Sequence, residues 1–279
     1  MSHATIQVQT TQGVCTISLN RPEVRNAMSL TMVHELLAAL KAAEADPDTR
    51  VVVLRGQGGH FCAGGDIGDM AQARMKLAAQ QAQVDAGQAV TERNPIEVVN
   101  AAFGQLCLAY ARSSLPIVTV LEGTVMGGGF GLACVSDVSL ARDNVSFRLP
   151  ETSLGIIPAQ IAPFLVERLG YAEAKRLSVT GARVDAREAL TIRLVHEVHA
   201  DEAALQDALQ QTLARILACG PQAIATTKRL LERARQSPAD SLIDDAAALF
   251  AQAVLSEEGQ EGTQAFMQKR KPRWVPPSA

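Results

Sequence analysis

One arrangement constrains this chain more than any other: a short apolar strand running into a glycine-bearing loop and then a helix, laid down twice. The first copy is Val51-Val52-Val53-Leu54 ending in Gly56, followed by the loop Gly56-Gln57-Gly58-Gly59-His60-Phe61-Cys62-Ala63-Gly64-Gly65-Asp66-Ile67. The second is Pro116 to Leu121, then Gly123-Thr124-Val125-Met126-Gly127-Gly128-Gly129 and the apolar segment Phe130 to Val135. A short run that is apolar at every position is the pattern of a strand covered on both faces. Strands alternating with helices predict an α/β fold. Such loops also place backbone N–H groups at helix N-termini, where an anion or a developing oxyanion can be received.

The remaining segments extend the plan. Strand patterns cover Ile6 to Val8, Val14 to Leu19 and Val138 to Ala141, and Arg21-Pro22-Glu23 marks a turn. Ser29 is placed to cap a helix with apolar positions Leu30, Val33, Leu36, Leu37, Leu40 and Ala43, and Pro47 lies beyond its end. A helical stretch from Met70 to Arg112 is broken near Asn94-Pro95. From Asp201 onward the pattern is helical throughout: Glu202 to Cys219, Pro221 to Arg235, Asp240 to Leu255 and Glu257 to Arg270. The chain therefore divides into a strand-bearing core, residues 1–200, and a helical C-terminal region, residues 201–279, whose apolar faces call for another subunit or the core.

Composition excludes several functions. A formal charge of −3 with no basic block gives no support for nucleic-acid binding. No secretory signal and no membrane-length apolar run is visible, so a cytoplasmic location is expected. Five scattered cysteines, Cys15, Cys62, Cys107, Cys134 and Cys219, form no zinc or redox spacing. His196 and His199 lie on a strand pattern, where a three-residue separation sends side chains to opposite faces. No metal is expected.

The loops match no common nucleotide or nucleophile motif. There is no Gly-x-x-x-x-Gly-Lys-Ser/Thr run, and Gly127-x-Gly129 continues to Leu132 rather than to a third glycine. A Gly-x-Ser-x-Gly elbow is also missing. Glu151, in Leu149-Pro150-Glu151 before Leu154-Gly155-Ile156-Ile157-Pro158, is placed where desolvation would raise its pKa toward general-base values. A helix-capping or ion-paired glutamate is the alternative.

Taken together, five ordered segments resemble the crotonase (enoyl-CoA hydratase/isomerase) superfamily from about Ile6 to Trp274. They are Arg21-Pro22-Glu23-Val24-Arg25-Asn26-Ala27, Phe61 to Ile67, Gly123 to Gly129, Leu149 to Pro158, and Glu261-Gly262-Thr263-Gln264-Ala265-Phe266-Met267-Gln268-Lys269-Arg270-Lys271. The resemblance implies a spiral of ββα units in two sheets, with helical C-terminal trimerisation, as trimers or hexamers. It implies an oxyanion hole made by the N–H groups of Ala63 and Gly128, with Glu151 as catalytic acid–base. Coenzyme A, as part of the substrate rather than a separate cofactor, would pass Arg25 to Ala27 and Ala63 to Ile67, Asp66 included. Phe266 and Lys269 would cover its adenosine end. Lys269 as a surface charge and Asp66 as a helix cap are the competing readings.

Two departures narrow the resemblance. Hydratases that use two glutamates carry the first twenty residues before the second, and here that position is Gly131. Pro158-Ala159-Gln160-Ile161-Ala162-Pro163-Phe164 replaces the usual Pro-Gly-rich turn. Both are similar to bacterial hydratases of methylglutaconyl-CoA or isohexenylglutaconyl-CoA, from leucine and acyclic-terpene breakdown. The expectation is a hydro-lyase acting on a branched 2-enoyl-CoA, with Gly131 opening substrate space and Arg148 meeting a distal carboxylate, unless Arg148 faces solvent or an acidic neighbour. A single-glutamate Δ3,Δ2-enoyl-CoA isomerase and a catalytically lapsed CoA-binding protein are the alternatives.

Overall fold

The computed structural model describes residues 5–276. In chain order the strands are β1 (Ile6–Thr11), β2 (Val14–Leu19), β3 (Val51–Gly56), β4 (Ile117–Leu121), β5 (Thr124–Met126), β6 (Val138–Arg142), β7 (Ser146–Arg148), β8 (Arg183–Asp185) and β9 (Glu197–His199). The helices are α1 (Leu30–Ala45), α2 (Ile67–Asp85), α3 (Pro95–Arg112), α4 (Gly128–Val135), α5 (Ala162–Thr180), α6 (Ala186–Thr191), α7 (Glu202–Ala218), α8 (Pro221–Ala234), α9 (Ile243–Leu255) and α10 (Glu257–Met267).

Six strands form one sheet in the order β1-β2-β3-β4-β6-β9, and β5-β7-β8 form a second, smaller sheet. The β1–β2 hairpin is antiparallel, whereas β2, β3, β4, β6 and β9 run parallel. The α/β expectation is met.

Strand β3 shows why its sequence is apolar throughout. Side chains alternate between faces, and here the two faces meet different partners. Val52 and Leu54 join the main core with Leu36 of α1 and Leu106 and Tyr110 of α3. Val51 and Val53 pack with Val118, Val120 and Leu140 beneath Leu205, Leu209 and Leu213 of α7. Helix α7 therefore seals the second face of the sheet, although it lies after residue 200. The later helices are barer, with Leu231, Ile243, Phe250 and Leu255 all exposed.

The expected helix boundaries have visible causes. Ser29 Oγ accepts from Met32 N–H, Asn94 Oδ1 from Ile96 N–H, and Asp201 Oδ1 from Ala204 N–H, each satisfying a first-turn donor. The sequence pattern does not predict β5, hidden in the glycine loop, nor β8, α5 and α6. The C-terminal motif is held by Glu261, whose buried carboxylate accepts both terminal nitrogens of Arg270 and pairs with Arg273.

Candidate active site

Three short stretches converge at one end of the parallel strands. The loop after β3 is laid beside β5: Cys62 N–H donates to Thr124 O at 3.0 Å, and Met126 N–H to Cys62 O at 2.9 Å. On its other side, Met28 pairs with Gly65 in a one-residue parallel bridge, in which Met28 N–H donates to Gly64 O and Asp66 N–H to Met28 O. Asn26, fully buried, ties the preceding turn to the same loop by donating to Gln57 O and His60 O.

This bridge decides which amides remain available. Ala63 N–H donates to Arg25 O at 2.9 Å, so the expected oxyanion role of Ala63 is not open to it. In the bridge the carbonyl of Gly64 and the amide of Asp66 face Met28, which leaves the Gly65 N–H directed away. Gly65 is exposed, lines the cavity, and has no hydrogen-bond partner for its amide among the described residues. Gly65 therefore stands where Ala63 was expected.

Gly128, the second expected donor, is the first residue of α4 and lines the same cavity. Its N–H has no intrahelical acceptor, as for every first-turn amide, and lies at the positive end of the helix dipole. Gly127 before it has φ +47°, and a Cβ there would come within 3.1 Å of Glu151 Oε1, so only glycine suits this corner. Gly129 packs against Cys62, where a Cβ would meet Cys62 Cβ and O at 2.7 Å.

Glu151 opens a 3-10 turn at the end of the strand–turn Ser146–Pro150 and lines the cavity with Gly65 and Gly128. Its Oε2 is buried and has no hydrogen-bond partner among the described residues. Burial pushes the carboxyl above the usual range, partly offset by a bond from its own backbone N–H. A desolvated, unpaired carboxylate beside two unspent amides is suited to taking and returning a proton next to a polarised carbonyl. The capping and ion-pair alternatives for Glu151 do not apply.

The Gly131 position differs from expectation. Gly131 is buried and does not line the cavity. A Cβ on it would come 2.4 Å from Ile161 Cγ2 and 3.5 Å from Cys107 Sγ. Ile161 occupies the volume, so Gly131 opens no substrate space. Arg148 is also displaced from its expected role: its Nε donates to Gly181 O at 3.1 Å, and it does not line the cavity. Its contribution is its carbonyl, which accepts from Gly127 N–H.

Among the other expected contacts, Asp66 caps α2, accepting from Gly68 N–H at 2.7 Å, and pairs with Arg21 at 2.6 Å. It lines the cavity as well. Arg21 also donates to Ala27 O, so it clamps the Arg25–Ala27 turn onto the loop; its role was not foreseen. Arg25 and Ile67 are exposed, and Ala27 is half-buried beside them. Phe266 and Lys269 lie on the surface at the end of α10 and do not line the cavity of their own chain. Asn100, Phe103, Gln160 and Ile161 line it without having been foreseen, since only the approach of α3 to the 156–161 segment brings them there.

A family model described as enoyl-CoA hydratase/isomerase matches residues 9–276. A crystal structure of an enoyl-CoA hydratase/isomerase from Marinobacter aquaeolei is similar with a TM-score of 0.90 and 48% identity, covering 98% of this chain and 99% of that one. AtuE from Pseudomonas aeruginosa is similar with a TM-score of 0.90 and 49% identity, covering 98% and 100%. The 2,3-dehydroadipyl-CoA hydratase of Escherichia coli is 28% identical over 94% of each chain. Relatives at similar identity carry isomerase and hydrolase names as well: a peroxisomal Delta(3,5)-Delta(2,4)-dienoyl-CoA isomerase of Arabidopsis thaliana is 28% identical and a probable 3-hydroxyisobutyryl-CoA hydrolase of the same organism 31%. Sequence, fold and the convergence of Gly65, Gly128 and Glu151 agree: the chain is a member of the enoyl-CoA hydratase/isomerase family, with the family's crotonase-like α/β fold and its enzyme activity on acyl-CoA thioesters.

Proposed function

We propose that this enzyme adds water to the C2–C3 double bond of a branched 2-enoyl-CoA of the glutaconyl type, using Glu151 alone for proton transfer. The observation that carries the reading is the buried, unpaired Oε2 of Glu151 in the same cavity as the Gly65 and Gly128 amides. The thioester oxygen would accept from those two N–H groups. Glu151 would take a proton from water as the C3–O bond forms and the π pair moves to the thioester oxygen. Collapse of the enolate would return that proton from Glu151 to C2. Both new bonds then form on the face that Glu151 occupies, giving syn addition.

The absence of a carboxylate at Gly131 also suits a Δ3,Δ2-isomerase, because one carboxylate can carry a proton from C4 to C2. A panel of branched and straight 2-enoyl- and 3-enoyl-CoA thioesters, followed by mass spectrometry, tests the choice. The expected product has gained one water; an isomeric product of unchanged mass contradicts hydration. Retention of binding without turnover on any member would favour a catalytically lapsed CoA-binding protein.

For assembly, we propose a homotrimer or a dimer of trimers, in which Phe266 and Lys269 reach a neighbouring site. The exposed Leu231, Ile243, Phe250 and Leu255 support this reading, since monomers rarely leave such faces bare. Sedimentation should give a trimer or hexamer, and a stable monomer at micromolar concentration would contradict it.

A further inference from the structure

The Gly65 amide belongs to the peptide least able to hold its own direction. Gly64 and Gly65 are adjacent glycines, and a Cβ on Gly65 would meet nothing within 4 Å. No side chain fixes the peptide unit between them, and a glycine on either side leaves it free to rotate. That unit is planar and trans, so its carbonyl, Gly64 O, and its amide, Gly65 N–H, point opposite ways. Whatever holds Gly64 O therefore aims Gly65 N–H. Met28 N–H holds it, at 2.7 Å. The Cys62 thiol also reaches Gly64 O, at 3.8 Å, but a thiol is a weak donor.

The Met28 amide is in turn aimed by a strained turn. Arg25 and Asn26 have φ +51° and +57°, two successive non-glycine residues in the left-handed region. Such backbone is unfavourable and persists only where its surroundings over-determine it. Here one side chain does so. Asn26 is fully buried, and its Oδ1 accepts from Arg21 N–H at 2.8 Å. Its Nδ2 donates to Gln57 O at 2.9 Å and to His60 O at 2.8 Å. The first bond closes the turn on itself, and the other two fasten it to the loop that leads into Gly64 and Gly65. Held in this way, the turn delivers Arg25 O to Ala63 N–H and Met28 N–H to Gly64 O.

We propose that Asn26 is a positioning residue for the reaction: its amide locks the Arg25–Asn26 turn and, through Met28 and the Gly64–Gly65 peptide, keeps Gly65 N–H pointed into the cavity. This rests on the reading of the Gly65 and Gly128 amides as donors to the thioester oxygen. The carboxamide suits the task because it combines two donors with an acceptor at the end of a short side chain.

Isotope-edited infrared spectra of bound 3-methylbutanoyl-CoA, labelled at its carbonyl carbon, test the role without any turnover. In the wild type the thioester carbonyl stretch should lie below its value in water, because two fixed amides polarise it. Asn26→Asp keeps the shape and the acceptor for Arg21 N–H but puts an oxygen where both donors were. Asn26→Gly removes the side chain and tolerates the left-handed backbone without strain. Each variant should lose about half of the lowering, the share of one donor in two. On an accepted enoyl-CoA, kcat should fall about 10²-fold, the scale of a misplacement of about 1 Å. Affinity for the saturated thioester should stay within about 3-fold, since the remote contacts are untouched. Melting curves report whether each variant is folded. A carbonyl stretch unchanged in the folded variants overturns the inference, whatever happens to kcat. Failure of both variants to fold also overturns it, since Asn26 would then serve the fold alone. No lowering in the wild type would instead remove the oxyanion reading beneath it.

Discussion

The two sides of the proposed reaction site are built differently. On one side Glu151 brings a carboxylate into a desolvated position, with Oε2 left unpaired. On the other, Gly131 brings no side chain and Ile161 fills the space. The first wall holds chemistry at a cost in stability, because an ionised carboxylate loses solvation there. The second is ordinary core packing. The contrast teaches that a missing carboxylate need not leave a hole: its volume is taken by a neighbour from the 156–161 segment, and the proposed acid–base role rests on Glu151 alone.

The sharpest way to break this comparison is Glu151→Gln, which keeps the shape and removes the base. Turnover on the accepted enoyl-CoA should fall by roughly 10²–10⁴, the range for a positioned general base. Thioester binding should change little, as titration would show. Turnover near wild type would move the chemistry off this wall.

Gly65→Pro removes one amide from the proposed oxyanion pair and should lower turnover by about 10²–10³. Gly65→Ala is its control, since a Cβ there meets nothing within 4 Å and the N–H is kept. Equal rates for the two variants would return the donor role to another amide.

The apolar wall is tested by stability rather than rate. Gly131→Ala forces a methyl against Ile161 and should cost about 1–3 kcal/mol, the usual range for overpacking, read from denaturant midpoints. Ile161→Ala in the same chain should recover part of that loss. Full tolerance of Gly131→Ala alone would mean that the space is open after all.

The smallest expected effect is electrostatic. The folded-state pKa of Glu151 is raised by burial. The folded protein therefore binds more protons than the unfolded chain between the two pKa values, and stability falls as pH rises through that window. Glu151→Gln should remove this component, so the variant should gain thermal stability relative to wild type above the window and lose that gain below it. Parallel melting curves with no pH-dependent difference would contradict the desolvation of Glu151.

Much of this was legible in the sequence because it depends on local pattern. Val51 to Leu54 reads as a doubly covered strand, Ser29 and Asp201 cap the helices that begin after them, and Asn94, expected only as a break, caps α3. Strands β5 and β8, three residues each, are too short to show alternation, and β5 is further disguised by the glycines that flank it, Gly123 and Gly127. The exchange of Gly65 for Ala63 turns on the Met28 bridge, a long-range pairing that sets which amides of the loop are spent. Arg148 was misplaced because a three-residue strand does not announce which face meets the cavity. Asn100 and Gln160 meet only because Gly104 and Gly131 let the 156–161 segment settle on α3 and α4, which no spacing within either segment reveals.

The pH dependence of kcat/KM on an accepted enoyl-CoA tests most directly whether one carboxylate does the proton transfer. The account predicts that activity rises with pH through a single ionisation, above the ordinary glutamate range because burial disfavours the charged form. That limb should vanish in the residual activity of Glu151→Gln. The same rising limb persisting in Glu151→Gln would show that another group is the base and would contradict the account.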